Sequence, residues 1–181
     1  MKNRRSGTFV SGLLALAVSA TVDSAEIAGL VPIVRSEAVT VSFRLEDGFD
    51  EEIIHAIEAG LDVSFRYNAE LKEVRGIWLD KKLAARRIRT TVAYDNLTKR
   101  YSLTREIDGE IDATEVVADV EAMRRFMTTF DSLPLFDVSP MAPNEEYYVR
   151  VKAVLRERNL LLLIPWDVGA EWREAHFTYL P

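Results

Sequence analysis

The chain has two histidines and no cysteine, which narrows the chemistry open to it. His55 stands three residues before Glu58, and His176 lies between Glu174 and the aromatic Phe177. A Ser-His-Asp system needs its serine on a strained elbow or a comparable device, and no G-x-S-x-G occurs here. His55, alone on its helix, therefore reads as structural, and His176 would act only with partners that the fold brings to it. A zinc site is not expected, because there is no H-E-x-x-H and no histidine cluster. Asp108, Glu110 and Asp112 place carboxylates like the first three ligands of a calcium loop. That pattern then fails, with Ala113 where the sharp turn requires glycine and Asp119 where the closing glutamate belongs. The run reads instead as a turn leading into a capped helix. Asp131 with Asp137, or Glu145 with Glu146, could hydrolyse a glycoside only if their carboxyl groups stood about 5–9.5 Å apart. Spacing along the chain does not fix that separation. No catalytic residue, metal ligand or cofactor is assigned from the sequence, and the missing cysteines exclude disulfides and thiolate nucleophiles.

The one local reversal of an acidic balance is the basic run Lys81, Lys82, Arg86, Arg87 and Arg89. With the nearby Trp78 it forms the set of candidate interaction residues. Such a run could meet a phosphate, a lipid headgroup or an acidic partner. Its plain structural reading is the solvated face of a connecting segment and of the strand after it. No stacking aromatics are interleaved with it, and no glycine-rich phosphate cradle occurs. The formal charge of the chain is −6. Nucleic acid, which an acidic domain repels on average, is not an expected partner. Trp78, Trp166 and Trp172 read mainly as core residues; an exposed one would be a natural partner anchor.

The N-terminus reads as a secretory leader. Lys2, Arg4 and Arg5 precede the apolar run Phe9 to Val18, and Val18-Ser19-Ala20 supplies small residues at a cleavage site. Cleavage after Ala20 is expected, with Ala25 the weaker alternative because Asp23 would occupy its −3 position. An uncleaved anchor is the competing reading, although a spanning helix needs about 20 apolar residues. No segment of the mature chain is long and apolar enough to span a membrane. Removing the leader's cations leaves 20 basic against 29 acidic side chains.

The elements that would position these residues follow from periodicity. Ala38 to Leu45, Leu61 to Leu71 and Tyr147 to Leu155 alternate apolar and polar side chains, the period of a half-buried strand. Asp50 reads as the cap of a short helix over 50–59, with Phe49 and Ile54 as a hydrophobic staple and Gly60 just past its end. Val74 to Leu79 is expected to continue the sheet. The strands Ile88 to Tyr94 and Arg100 to Thr104 flank a hairpin loop over 95–99, and Asp108-Gly109 marks another turn. A second helix is expected from Asp112, with Glu115 completing a capping box. Val116, Val120, Met123, Met127 and Phe130 then recur at helical spacing, and Ser132-Leu133-Pro134 closes it. Strands are expected again over Leu160 to Trp166 and Trp172 to Tyr179. The fold class is α+β: a mostly antiparallel, β-sandwich-like domain with two helices packed on or beside the sheets. The expected organisation is a signal peptide over 1–20, an N-terminal extension over 21–37 and a single domain over 38–181.

From about Ala38 onward the chain resembles the uncharacterised proteobacterial family known as domain of unknown function 4390. The stretches AIEAGLDVSFRYNAEL (Ala56 to Leu71), RGIWLDKK (Arg75 to Lys82), YDNLTKRYSL (Tyr94 to Leu103), YYVRVKAVLR (Tyr147 to Arg156) and WDVGAEW (Trp166 to Trp172) carry the resemblance. It implies an exported protein, since members are similar in bearing signal peptides, and it brings no catalytic residue with it.

Taken together, the sequence favours an exported, periplasmic, non-enzymatic protein-interaction domain whose partner is another envelope protein. Free strand edges would be its means of docking. The alternatives are a small periplasmic enzyme using acidic residues, favoured by a deep pocket with two converging carboxylates or by His176 in a perturbed environment, and a carrier of an apolar ligand, which needs a dry cavity between sheet and helix.

Overall fold

A computed structural model describes residues 25–76, 79–155, 168–169 and 171–180. Ten strands and two helices are present among them: β1 (Glu26–Arg35), β2 (Ala38–Glu46), α1 (Glu51–Glu58), β3 (Val63–Glu73), β4 (Lys81–Asp95), β5 (Arg100–Ile107), β6 (Glu110–Val117), α2 (Val120–Thr128), β7 (Thr129–Asp137), β8 (Glu146–Leu155), β9 (Val168–Gly169) and β10 (Arg173–Thr178). They form two sheets, one ordered β1-β2-β7 and one ordered β10-β8-β3-β4-β5-β6, with β9 beside β8. All pairings are antiparallel. The α+β sandwich class expected from the sequence is the class observed.

Alternation explains the layering. Phe65, Tyr67, Ala69 and Leu71 of β3 are buried on one face, as are Val149, Val151 and Ala153 of β8 and Val39, Val41, Phe43 and Leu45 of β2. These faces meet, and aromatic rings fill the space between them. Phe43 stacks on Phe130 with centroids 4.4 Å apart, while Tyr67 meets Phe130 edge-on at 4.9 Å. Both helices lie on the same side of the large sheet as the small one. α1 is capped by Asp50, whose Oδ1 accepts the Ile53 N–H at 2.8 Å, and it buries Ile57. α2 buries Met123, Phe126 and Met127.

Four expectations are corrected. The residues read as the start of a long helix, Asp112 to Val117, belong to β6, paired with β5. Asp108 and Gly109 both have positive φ, the signature of a tight hairpin turn whose twist suits its strands. That turn sends β6 back along β5, and Asp112 pairs with Arg105 at 2.6 Å instead of capping a helix. The true cap is Asp119, which accepts the Ala122 N–H at 2.8 Å. At the far end, Phe130 and Ser132-Leu133-Pro134 are part of β7, not the helix terminus. A proline is tolerable there because β7 bonds to β2 alone within its sheet. The described part of the stretch expected as a strand over Val74 to Leu79 does not prolong the sheet: residues 74–76 and 79–80 belong to the connection to β4, where the Arg75 N–H donates to Asp80 Oδ1. The basic run lies wholly within β4 rather than partly in a connection.

The segment expected as an N-terminal extension contains β1, which pairs with β2 and buries Ile27. The leader, its cleavage site, Trp78, Trp166 and the strand expected over Leu160 to Trp166 fall outside the described residues.

Candidate interaction surface

Strand pairing sorts the candidate residues by face. On β3 the residues between the buried positions point away from the core: Arg66, Asn68, Glu70 and Lys72. The register sets Arg66 opposite Arg89, Asn68 opposite Arg87, and Lys72 opposite Lys82. Arg87, Arg89 and Lys82 are therefore brought together on the outer face of the large sheet. Arg86 is not. It is opposite the buried Ala69, donates its Nε–H to the Leu135 carbonyl at 3.0 Å and pairs with Asp108 at 3.1 Å. Its work is to tie β4 to β7. Lys81 is exposed at the start of β4.

β8 adds Arg150 and Lys152 to the same face, opposite Glu70 and Asn68. Sequence reading missed Arg66, Asn68, Arg150 and Lys152, because each is an ordinary polar position of its own strand. Only the register makes them neighbours. Around Glu70 the charges are matched: Arg150 approaches at 2.7 Å and Lys82 at 3.3 Å. Burial pushes the Glu70 carboxyl upward, yet the hydrogen bonds and charges of Arg150 and Lys82 prevail and hold it below the usual carboxylate range. Arg150 also lies over the Trp172 ring, 4.3 Å from its centroid.

Around Asn68 the charges are not matched. Arg66, Asn68, Arg87, Arg89, Glu106 and Asp108 line a groove of about 440 Å³. Arg89 approaches Glu106 at 3.6 Å, and Asp108 is engaged by Arg86 and by the Arg87 backbone N–H.

His176 leans on this face further along. Its ring stacks on Tyr148 with centroids 5.0 Å apart, and Nδ1 is 3.1 Å from Glu146. Tyr148 in turn donates to Asp80 at 2.9 Å. His55 is exposed on α1, and no contact joins the two histidines among the described residues. Of the acidic pairs considered, Asp137 accepts the Ser139 N–H at 2.6 Å and Glu146 is taken by His176.

The face ends at β6. This strand bonds to β5 on one side only, and Ile111 and Val116 are 68% and 60% exposed. The other sheet edges are interrupted or covered. β1 carries a bulge between Ala28 and Val31 followed by Pro32, β7 carries Pro134 and a left-handed Ser132, and β10 lies against β1, where Arg173 approaches Glu26 at 3.8 Å. Bulges and prolines are the usual protection of an edge against chance pairing. β6 is bulged once as well, at Asp112 between the Arg105–Ala113 and Glu106–Ile111 pairs, but among the described residues it carries no proline and no strand along its outer edge.

The family model described as Domain of unknown function (DUF4390) matches residues 22–172. The chain belongs to that family. The match begins ahead of β1. No characterised protein and no solved structure matches the chain. No helix among the described residues is long and apolar enough to cross a membrane.

Proposed function

We propose that this member of the family is an exported protein-interaction domain of the bacterial envelope, docking an extended segment of a partner protein along β6. The observation that carries the reading is the open β6 edge: eight residues with one hydrogen-bonded neighbour and two exposed branched side chains, Ile111 and Val116. An added strand would satisfy main-chain groups that now face solvent, and alternate side chains would set specificity. Glu110 and Glu115 are exposed on the same strand, so a second copy of β6 would be repelled while a basic segment would be attracted. Export rests on the leader pattern of residues 1–20, and the absence of cysteine suits a chain that folds without disulfide enzymes.

The test is a photocrosslinking amino acid placed at Val116 in cells, with Leu97 as the control. Leu97 is 94% exposed in the turn between β4 and β5 and is not part of β6. One envelope protein captured from Val116 and not from Leu97 supports the reading, and recovery of the chain in the periplasmic fraction supports export. Equal capture from both sites, or none from Val116, rejects docking at β6.

A further inference from the structure

The donors gathered around Asn68 lack acceptors. Neither Arg66, Asn68 nor Lys152 has a side-chain hydrogen bond or ion pair among the described residues, and the same is true of the Arg87 guanidinium. The Arg66 Nε is buried and bonds nothing. Buried polar atoms in folded proteins are nearly always satisfied, so an orphaned guanidinium nitrogen calls for an acceptor. The register sharpens the anomaly. Arg66 faces Arg89 directly across neighbouring strands, and Asn68 sits between Arg87 and Lys152. Like charges directly opposed on a sheet destabilise it. An acidic chain therefore concentrates cations at one point of its surface, at a cost to its own stability.

We infer that the groove between β3, β4 and the β5–β6 turn is an oxyanion site that takes a phosphate group. Arg66 and Arg87 offer planar forks and Asn68 an amide, and all three line the groove. A carboxylate presents two oxygens, fewer than these donors can occupy. A phosphate group presents three or more, with a charge of about −1.5 to −2 near neutral pH that suits the two unpaired guanidiniums. Glu106 and Asp108 also line the groove, and their charges are met by Arg89 and Arg86, which leaves Arg66 and Arg87 for the anion. The phosphate belongs to a soluble ester or to a lipid headgroup, and both offer the same terminal oxygens to the same donors.

The experiment titrates the full chain as the cell processes it with inorganic phosphate, at constant ionic strength, and follows the Asn68 side-chain amide and the Arg66 Nε–H by NMR. Both signals should shift and saturate with phosphate and not with chloride. Arg66→Gln and Arg87→Gln should each weaken binding tenfold or more, while the unfolding midpoint of Arg66→Gln stays level or rises as the repulsion with Arg89 is relieved. Co-sedimentation with phosphatidic acid vesicles, blocked by Arg66→Gln, would assign the group to a lipid. Binding of glycerol phosphate without vesicle binding would assign it to a soluble ester. The inference is overturned if the signals do not saturate, if chloride moves them equally, or if both variants bind phosphate like the parent chain.

Discussion

The Tyr67 hydroxyl, buried on β3, donates a 2.8 Å hydrogen bond to the Met127 carbonyl in the last turn of α2. The Thr90 hydroxyl of β4 donates to the same oxygen at 3.2 Å. A carbonyl at a helix C-terminus has no partner within the helix, so these two strands complete it. Tyr67→Phe should cost about 1 kcal/mol, since Thr90 remains as donor. Tyr67→Phe with Thr90→Val should cost more than the two single changes together, because the carbonyl is then buried unsatisfied. Urea unfolding of the four chains measures the coupling; strict additivity would contradict the shared acceptor.

Two aspartates compete for the role of helix cap, and the structure awards it to the second. Asp119→Ala should destabilise the protein by about 0.5–2 kcal/mol through loss of the bond to the Ala122 N–H. Asp112→Ala removes an ion pair with Arg105 and should leave α2 intact. Hydrogen exchange of the first α2 amides separates the cases: they should be deprotected in the first variant alone.

Phe130 is buried against both Phe43 and Tyr67, joining the two sheets. Phe130→Ala should cost about 3–5 kcal/mol, the usual loss for a large core ring. A change below 1 kcal/mol in chemical denaturation would mean that the site collapses around the smaller residue.

Alkaline stability should track Tyr101. Burial, with the hydrogen bond the phenol donates to Glu58 at 2.9 Å, pushes its pKa up to about 12. A phenol whose folded pKa is raised contributes stability that is complete below its unfolded value, near pH 10. That contribution is lost as the pH climbs through about 12. Burial raises Tyr67 in the same direction. Tyr101→Phe should flatten the loss of stability measured between pH 10 and pH 12, leaving the Tyr67 component.

Acid acts through the opposite shift. Asp95, held low by the Thr98 hydroxyl and the Leu97 and Thr98 N–H groups, joins Glu70 in favouring the ionised folded state. Depressed carboxyls contribute stability above their unfolded pKa and lose it as the pH falls through the folded one. Stability should therefore drop below about pH 4, and Glu70→Gln should lessen the drop. Unchanged acid unfolding in that variant would remove Glu70 from the account.

Much of this architecture is legible locally. The alternation of β2, β3 and β8 needs only period two and a core face, and both α1, with Asp50 before it and Gly60 after, and the 95–99 hairpin are set by turn and cap chemistry over a few residues. Where two local codes overlap, local evidence ran out. Asp112 to Glu115 fits a capping box, yet the hairpin turn at Asp108-Gly109 and pairing with β5 make the stretch a strand. β1 alternates weakly across a bulge and Pro32, so its place depends on β2. The candidate site is the extreme case. Positions 66, 68, 87 and 152 carry no joint signal along the chain, since their proximity is a property of the registers of β3 with β4 and with β8. Side-chain period and turn type act over a few bonds and can be read from one segment. Register is a choice between segments, made by burying the most apolar surface on one face, and it alone sets Arg66 opposite Arg89 and Asn68 between Arg87 and Lys152.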